Sequence, residues 1–180
     1  ISTFAYLVRN LFFSHLQAQT DATMSQELRQ VANGFNRTVE AFSGYDVNGY
    51  WFHTRRYEQA RPNRKTTNSG VCTPGTDDLE YHGILEDIYE LSFYGSKPLR
   101  LVVFKCHWFN PRLTKHAPNI GLVEVRHDSI YEGIDVFILA DQAVQVYYLQ
   151  YACQGNNALQ GWSIVHQTSP HGRCPVPNDE

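Results

Sequence analysis

The sequence lacks the short motifs by which many enzymes and phosphate-binding proteins are recognised. It contains no G-x-x-x-x-G-K-[ST] loop, no G-x-G-x-x-G loop and no G-x-S-x-G nucleophile elbow. Its eight histidines are scattered, and none forms an H-x-x-x-H pair beside a carboxylate on a predicted helix. We therefore predict that the protein is not an enzyme, and that it has no catalytic residue, no cofactor and no metal site.

Cysteine and excess positive charge are also scarce. The four cysteines stand far apart without any C-x-x-C, which is unlike a zinc framework or a small disulfide scaffold. The formal net charge is −3, so a globally basic nucleic-acid binder is excluded and any such role must rest on a local patch. A hydrophobic fraction of 42% excludes wholesale disorder.

Long apolar runs are missing as well. The most apolar stretch near the start, ISTFAYLVRNLFF, is interrupted by Arg9 and Asn10 and falls short of the roughly 20 residues of a membrane-spanning helix. We predict no membrane partner. Because the chain begins with Ile1 rather than methionine, we expect it to be a piece of a longer protein.

The first pattern that the sequence does contain is helical periodicity near its start. Apolar residues recur at three- and four-residue spacing over residues 2–18, and again over residues 24–32, where Asn33-Gly34 supplies a stop signal. The sequence therefore predicts two N-terminal helices, in a helical arm over residues 1–44 that packs on a neighbouring element or domain.

From Tyr45 onward the period changes to two, which is typical of strands. Six or seven short strands separated by turn signals predict an α+β, mostly β fold, with a small bent sheet or partly closed β-barrel over residues 45–152. An apolar stripe broken by Asp87 predicts a bulge or bend in YHGILEDIYELSFY. Residues 153–180 are expected to form an extended tail with a possible last strand.

One concentrated basic segment stands out in this acidic chain. Between His53 and Lys65 the only acid is Glu58, and Pro62-Asn63 favours a turn or extended loop. Lys and Arg side chains bind backbone phosphates, so the segment is a candidate nucleic-acid-binding site, although a solvated loop is the alternative. The candidate residues are Arg55, Arg56, Arg61, Arg64 and Lys65.

Carboxylates cluster at Asp77, Asp78 and Glu80 and again at Glu86, Asp87 and Glu90. A metal-dependent nuclease needs carboxylates that converge from different elements. Since these lie on one loop and one predicted strand, we interpret them as solvated acidic surface.

Several motifs in one order carry a resemblance to a known family. NGYWFHT, RKTTNSGV, YHGILEDIYEL, LRLVVFKCHWF and DVFILADQAVQVYY resemble the domain of unknown function that follows the catalytic region of plant CACTA-type (En/Spm-like) transposases. The resemblance covers residues 27–151 and implies a nuclear, transposon-derived protein. It transfers no catalytic residue, because strand cleavage in such transposases belongs to an upstream acidic-triad domain that is absent here.

A fainter likeness, through the order of GILEDI, VVFKCHWFNP and FIL, is to the bromo-adjacent homology domains of chromatin proteins. It suggests an alternative function, recognition of a histone tail through an aromatic cage that attracts a methylated lysine. Aromatic residues at alternating positions are more often part of a core, which is the alternative to a cage. The candidate cage residues are Tyr50, Trp51, Tyr81, Trp108 and Phe109.

Taken together, these observations predict a non-catalytic accessory domain of a CACTA transposase-like protein that aids binding of DNA or of a protein partner. Other domains or subunits of the parent transposase are the expected protein partners.

Overall fold

The chain folds mainly into antiparallel β-strands. The computed structural model describes residues 34–36, 38–63, 66–75, 77–95, 99–117, 119, 121–133, 136–151 and 159–171. The strands are β1 (Glu40–Phe42), β2 (Gly44–Val47), β3 (Tyr50–His53), β4 (Gly70–Pro74), β5 (Glu80–Phe93), β6 (Leu99–Trp108), β7 (Lys115–Ala117), β8 (Leu122–Arg126), β9 (Phe137–Leu139), β10 (Val144–Gln150) and β11 (Trp162–Gln167). The helical elements are α1 (Arg55–Gln59) and two single 3₁₀ turns, η1 (Pro111–Leu113) and η2 (Ala140–Gln142).

Nine of these strands form one sheet in the order β7-β8-β11-β10-β4-β5-β6-β9, with β1 paired beside the second half of β5. Strands β2 and β3 form a separate hairpin. Its turn is Asn48-Gly49, where both residues have positive φ (53° and 78°), as a tight two-residue hairpin requires.

The β5–β6 hairpin is the centre of the molecule and is covered on both faces. Its first face carries the main core, in which Phe52 of β3 meets Phe104 of β6 with ring centroids 5.1 Å apart. The buried members of this core are Tyr50, Phe52, Val71, Leu85, Ile88, Phe104, Cys106, Trp108, Ala140 and Ala143. The alternation in the sequence LRLVVFKCHWF predicts one shared core face, and this prediction is confirmed for Val102, Phe104, Cys106 and Trp108.

The second face carries a smaller core. Leu91, Phe93, Val103 and Phe137 are buried there, and Phe35 packs edge-on against Phe93 at 6.1 Å. Alternate residues of one hairpin therefore serve two cores, because successive strand side chains point to opposite faces.

The predicted bulge in β5 is confirmed. The register with β6 shifts between Leu85, which pairs with Cys106, and Asp87, which pairs with Lys105, so Glu86 is the extra residue. The bulge brings both Glu86 and Asp87 to the ammonium group of Lys105, at 3.2 and 3.3 Å.

The predicted fold class is wrong in its architecture. Instead of a small partly closed barrel of six or seven strands, the described residues form an open nine-stranded sheet plus a hairpin, and edge strands β7 and β9 do not pair with each other. Three-residue strands such as β1 and β7 are too short to show a period of two, so the prediction undercounted the strands.

The helical content of the described residues also differs from the prediction. Within the described ranges the one α-helix is α1, five residues long, and it lies in the segment predicted as a loop. The two predicted N-terminal helices, over 2–18 and 24–32, fall outside the described residues. No helix in the described part of the chain has the length and apolarity needed to span a membrane.

Candidate functional site

The first half of the basic segment is a short capped helix rather than an open loop. Thr54 caps α1 because its hydroxyl oxygen accepts a hydrogen bond from the Tyr57 N–H at 3.3 Å. The helix ends before Pro62, which has no N–H to continue it. The signal for this helix was available in Thr54 followed by RRYEQ, a run of mostly good helix formers.

Glu58, the only acid of this segment, is held on the side of α1 that faces the sheet. Its carboxylate accepts hydrogen bonds from the Ser69 hydroxyl at 2.6 Å and from the Asn68 N–H. It forms no ion pair with an arginine in the described part of the chain. The arginines around it therefore keep their charge available for another partner.

A cleft of about 450 Å³ opens between this segment and the sheet. One wall is formed by α1 and the residues that follow it, namely Arg55, Glu58, Gln59, Arg61, Pro62, Thr66, Thr67 and Ser69. The other wall is formed by the sheet and the ends of its strands, namely Ile84, His107, Phe109, His127, Tyr148, Gln150 and Ser163.

Arg61 is positioned at the cleft by an aromatic ring. Its guanidinium carbon lies 3.7 Å from the centroid of the Tyr57 ring, and it donates a hydrogen bond to the Tyr57 carbonyl oxygen at 3.4 Å. Tyr57 also contacts the buried His53, whose ring is stacked on it with ring centroids 4.5 Å apart. This stack of three groups anchors the cation to the core while its charge faces outward.

The sheet wall is built on buried hydrogen bonds. The hydroxyl of Tyr148 lies 3.1 Å from the Val71 carbonyl oxygen and 2.9 Å from that of Gly83, and burial raises the pKa of this phenol well above its usual range. The phenol therefore stays neutral, and it joins β10 to β4 and β5 beneath the cleft.

A serine–histidine pair also lies in this wall. Ser163 Oγ is 2.8 Å from His127 Nδ1, and Ser163 is 1% exposed. Such a pair is the beginning of a nucleophilic triad, but a triad also needs a group that orients the histidine. No hydrogen bond from His127 to a carboxylate is present among the described residues. The absence of catalysis stays a prediction.

The structure brings part of the predicted basic set together. All three described arginines of this set are exposed, and Arg55 and Arg61 line the cleft whereas Arg56 does not. Arg64 and Lys65 fall outside the described residues. Sequence reasoning missed the opposite wall, because His107, His127 and Ser163 are far apart in the chain and meet only through strand pairing.

The candidate cage residues lie in separate places. Tyr50 is buried in the main core, and Trp51 is 54% exposed on β3. Tyr81 packs edge-on against the buried Trp108 at 6.3 Å, and Phe109 packs against Tyr148 in the cleft. These five rings do not surround one common space.

A second cluster lies outside the cleft. Cys72, Glu80 and His82 place a thiol sulfur, a carboxylate oxygen and a ring nitrogen within 4.8 Å of one another. Burial, with help from the charge of Glu80, raises the pKa of the Cys72 thiol to about 12, and burial lowers the pKa of His82. Without a bound cation the thiol is therefore protonated and the imidazole neutral at pH 7. Sequence reasoning missed this cluster because it depends on the pairing register of β4 and β5.

Comparison with known proteins gives one family match over part of the chain. Residues 89–165 match the family model described as Domain of unknown function (DUF4216). No curated protein and no solved structure matches the chain. The match confirms a domain of unknown function over these residues, while the transposase context and the bromo-adjacent homology likeness stay predictions.

The family match divides the cleft. It begins inside β5 and ends inside β11, so it includes His107, Phe109, His127, Tyr148 and Ser163 of the sheet wall. The basic wall on α1 lies before the matched range. The family match therefore includes most of the sheet wall of the cleft but not its basic wall.

Proposed function

We propose that this chain is a non-catalytic accessory domain of a transposon-derived protein, and that it binds DNA at the cleft between α1 and the sheet. The observation that carries the proposal is that Arg55 and Arg61 line one cleft while the neighbouring acid, Glu58, is bonded to Ser69 and Asn68. Neither arginine forms an ion pair in the described part of the chain. Two unneutralised guanidinium groups at one cleft are suited to backbone phosphates.

The size of the cleft limits how much of the DNA it holds. Its volume lies within the range of about 300–1,000 Å³ that is usual for small-molecule pockets. It accommodates a nucleotide-sized part of the DNA backbone rather than the full width of a duplex. We therefore expect contacts to the sugar–phosphate backbone at one position, with affinity that depends on salt and little on base sequence.

The polar residues of the cleft suit the same ligand. Thr66 and Thr67 offer hydroxyl groups beside the two arginines, and His107 and His127 lie on the opposite wall. Hydroxyl, guanidinium and imidazole groups are all used in proteins to contact phosphate oxygens. Phe109, which is buried against Tyr148, contributes apolar atoms to the same wall.

The transposon-derived and nuclear setting belongs to the same proposal. It is supported by the order of motifs shared with the domain that follows the catalytic region of plant CACTA-type transposases. Two of those motifs, LRLVVFKCHWF and DVFILADQAVQVYY, form β6 and the segment from β9 to β10, inside the range matched by the family model.

We do not propose recognition of a methylated histone tail. An aromatic cage needs rings that face one common space, and among the described residues Tyr50 and Trp108 are packed in the main core. Trp51 follows Tyr50 in β3, so its side chain points to the opposite face, where it is exposed.

The proposal is tested by charge reversal on the cleft wall. The double variant Arg55→Glu/Arg61→Glu should weaken binding to a fluorescently labelled oligonucleotide at least about tenfold at about 50 mM salt, because two phosphate contacts become repulsive. Fluorescence anisotropy with single-stranded and duplex probes measures this and shows which form is preferred.

The matched control is Arg100→Glu/Arg126→Glu, which changes the net charge by the same amount. These arginines pair with Glu90 and Asp128 at 3.1 and 2.9 Å and do not line the cleft. Equal loss of binding in both double variants would assign the effect to net charge alone. No binding by the unmodified chain at this salt concentration would contradict the proposal.

A further inference from the structure

We propose that Cys72, Glu80 and His82 form a binding site for one divalent transition-metal ion, for which zinc is the best match. The three donor atoms lie within 4.8 Å of one another, and they come from two paired strands. None of the three lines the DNA-binding cleft proposed above, so this site is independent of that function.

The pairing of β4 with β5 creates the cluster. Cys72 is directly opposite His82 in the antiparallel register, so their side chains point to the same face. Glu80 precedes His82 by two residues in the same strand and therefore shares that face. Three ligands thus converge from adjacent positions of one strand pair, next to the connection between the two strands.

The distances are close to those of a metal site. Bond lengths of about 2.0–2.3 Å around tetrahedral zinc place neighbouring ligand atoms about 3.3–3.6 Å apart. The distances between ligand atoms must therefore contract by at most about 1.2–1.5 Å from their 4.8 Å limit. The side chains of cysteine, glutamate and histidine reach this by small rotations about their own bonds.

His82 gives an independent reason to place a cation here. It is only 3% exposed, and its Nδ1 atom has no hydrogen-bond partner in the described part of the chain. Buried polar atoms in native proteins are nearly always paired, and a water or an ion is among the partners that an orphaned ring nitrogen takes. The same nitrogen is one of the atoms through which histidine ligates metals.

The set of donors selects the metal. A thiolate with an imidazole and a carboxylate suits zinc and its spectroscopic substitute cobalt, whereas magnesium and calcium require oxygen ligands. Glu80 is exposed, so the site is open on one side to the solvent and an ion can enter there. Three protein ligands leave one tetrahedral position for water. A bound ion would join β4 to β5 at the end of their hairpin.

The test is metal titration of the full chain after chelation and removal of the chelator. Cobalt(II) is the probe, because a thiolate ligand gives a near-ultraviolet charge-transfer absorption that reports the sulfur directly. We expect this absorption to saturate at one equivalent, to disappear on addition of zinc, and to be lost in Cys72→Ser. Absence of the band in the unmodified chain, or its persistence in Cys72→Ser, would overturn the proposal.

Two further variants separate ligation from folding. Glu80→Gln alters an exposed side chain, so the fold should persist by circular dichroism while cobalt affinity falls at least about tenfold. His166→Ala is the matched histidine control, because His166 is exposed on β11. This variant should bind cobalt like the unmodified chain. Unchanged cobalt affinity in Glu80→Gln would exclude the three-ligand site. This test does not require a variant of the buried His82, such as His82→Ala, to fold.

Discussion

Gln145 is a single polar side chain that links three parts of the molecule. It is completely buried, and its side-chain amide donates a hydrogen bond to the Trp51 carbonyl oxygen of the β2–β3 hairpin at 2.9 Å. Its own backbone carbonyl accepts hydrogen bonds from Thr168, just after β11, at 3.1 Å from the N–H and 3.0 Å from the hydroxyl. The hairpin, β10 and the segment after β11 therefore meet at this residue.

Replacing Gln145 with methionine tests this role. Methionine has similar volume but no donor, so the Trp51 carbonyl loses this hydrogen bond and the free energy of unfolding should fall by about 1–3 kcal/mol. Urea denaturation measures the change. Gln150→Met, the same substitution at an exposed position of the same strand, is the control. Equal stability of the two variants would contradict the role assigned to Gln145.

At the level of residues, the sequence predicted positions that depend on local alternation. Val102, Phe104, Cys106 and Trp108 were assigned to one core face, and they lie there. Gln145 was not predicted to be buried, because a glutamine side chain is normally exposed. The two carbonyl groups to which its side chain donates, in Asn68 and Trp51, are 77 and 94 residues away along the chain. The convergence of Cys72 with His82 escaped prediction for a related reason, since only the strand register determines it.

At the level of elements, β11 is the most informative difference from expectation. The sequence suggested at most a possible last strand in an extended tail, because WSIVHQ is short and follows a turn-rich stretch. In the structure it is an interior strand, paired with β10 on one side and with β8 on the other. Local patterns indicate that a strand forms, but they do not indicate its place in the sheet.

Truncation tests the interior position of β11. A chain ending at Gln160 loses the strand, so β8 and β10 are left with unpaired backbone N–H and C=O groups, which favour aggregation. We expect loss of cooperative thermal unfolding by circular dichroism and reduced solubility. A chain ending at Gly172 retains β11 and is the control. Cooperative unfolding of the shorter chain at the temperature of the control would show that β11 is dispensable.

Helix α1 also shows how little a local sequence pattern predicts, here for contacts between residues that are close in the chain. Pro62-Asn63 correctly marked a break, but the five residues before it form a helical turn that carries Arg55 to the cleft. Isolated helices of this length are unstable in water, and this one depends on its tertiary contacts, including the Glu58 bonds to Ser69 and Asn68. Such contacts are not encoded in a local pattern.

At the level of the whole molecule, the described charges are distributed unevenly. Arg100, Lys105 and Arg126 each form an ion pair with an acidic residue, and Lys115 lies 3.6 Å from the centroid of the Trp162 ring. Exposed pairs of this kind contribute little to stability. They do neutralise the local field. Among the described residues, the cleft brings two arginines without an ion pair, Arg55 and Arg61, to one place in a chain of net charge −3.

This distribution implies weak, oriented binding rather than broad electrostatic attraction. An acidic protein repels DNA over most of its surface, and the arginine wall must provide the attraction at short range. The expected number of phosphate contacts from the described residues is therefore small. Even a few contacts can be measured, because each contact releases condensed counterions from the DNA. Each contact therefore adds a fixed amount to the slope of the logarithm of the binding constant against the logarithm of the salt concentration.

The most direct test of the DNA-binding cleft is the slope of the logarithm of the binding constant against the logarithm of the salt concentration. The comparison is between the unmodified chain and Arg55→Gln/Arg61→Gln, with duplex DNA as the ligand. If both arginines contact phosphates, neutralising them should reduce the magnitude of the slope by about 1.8, or about 0.9 for each contact. An identical slope in the two proteins would show that neither arginine contacts the DNA backbone, and would contradict the central claim.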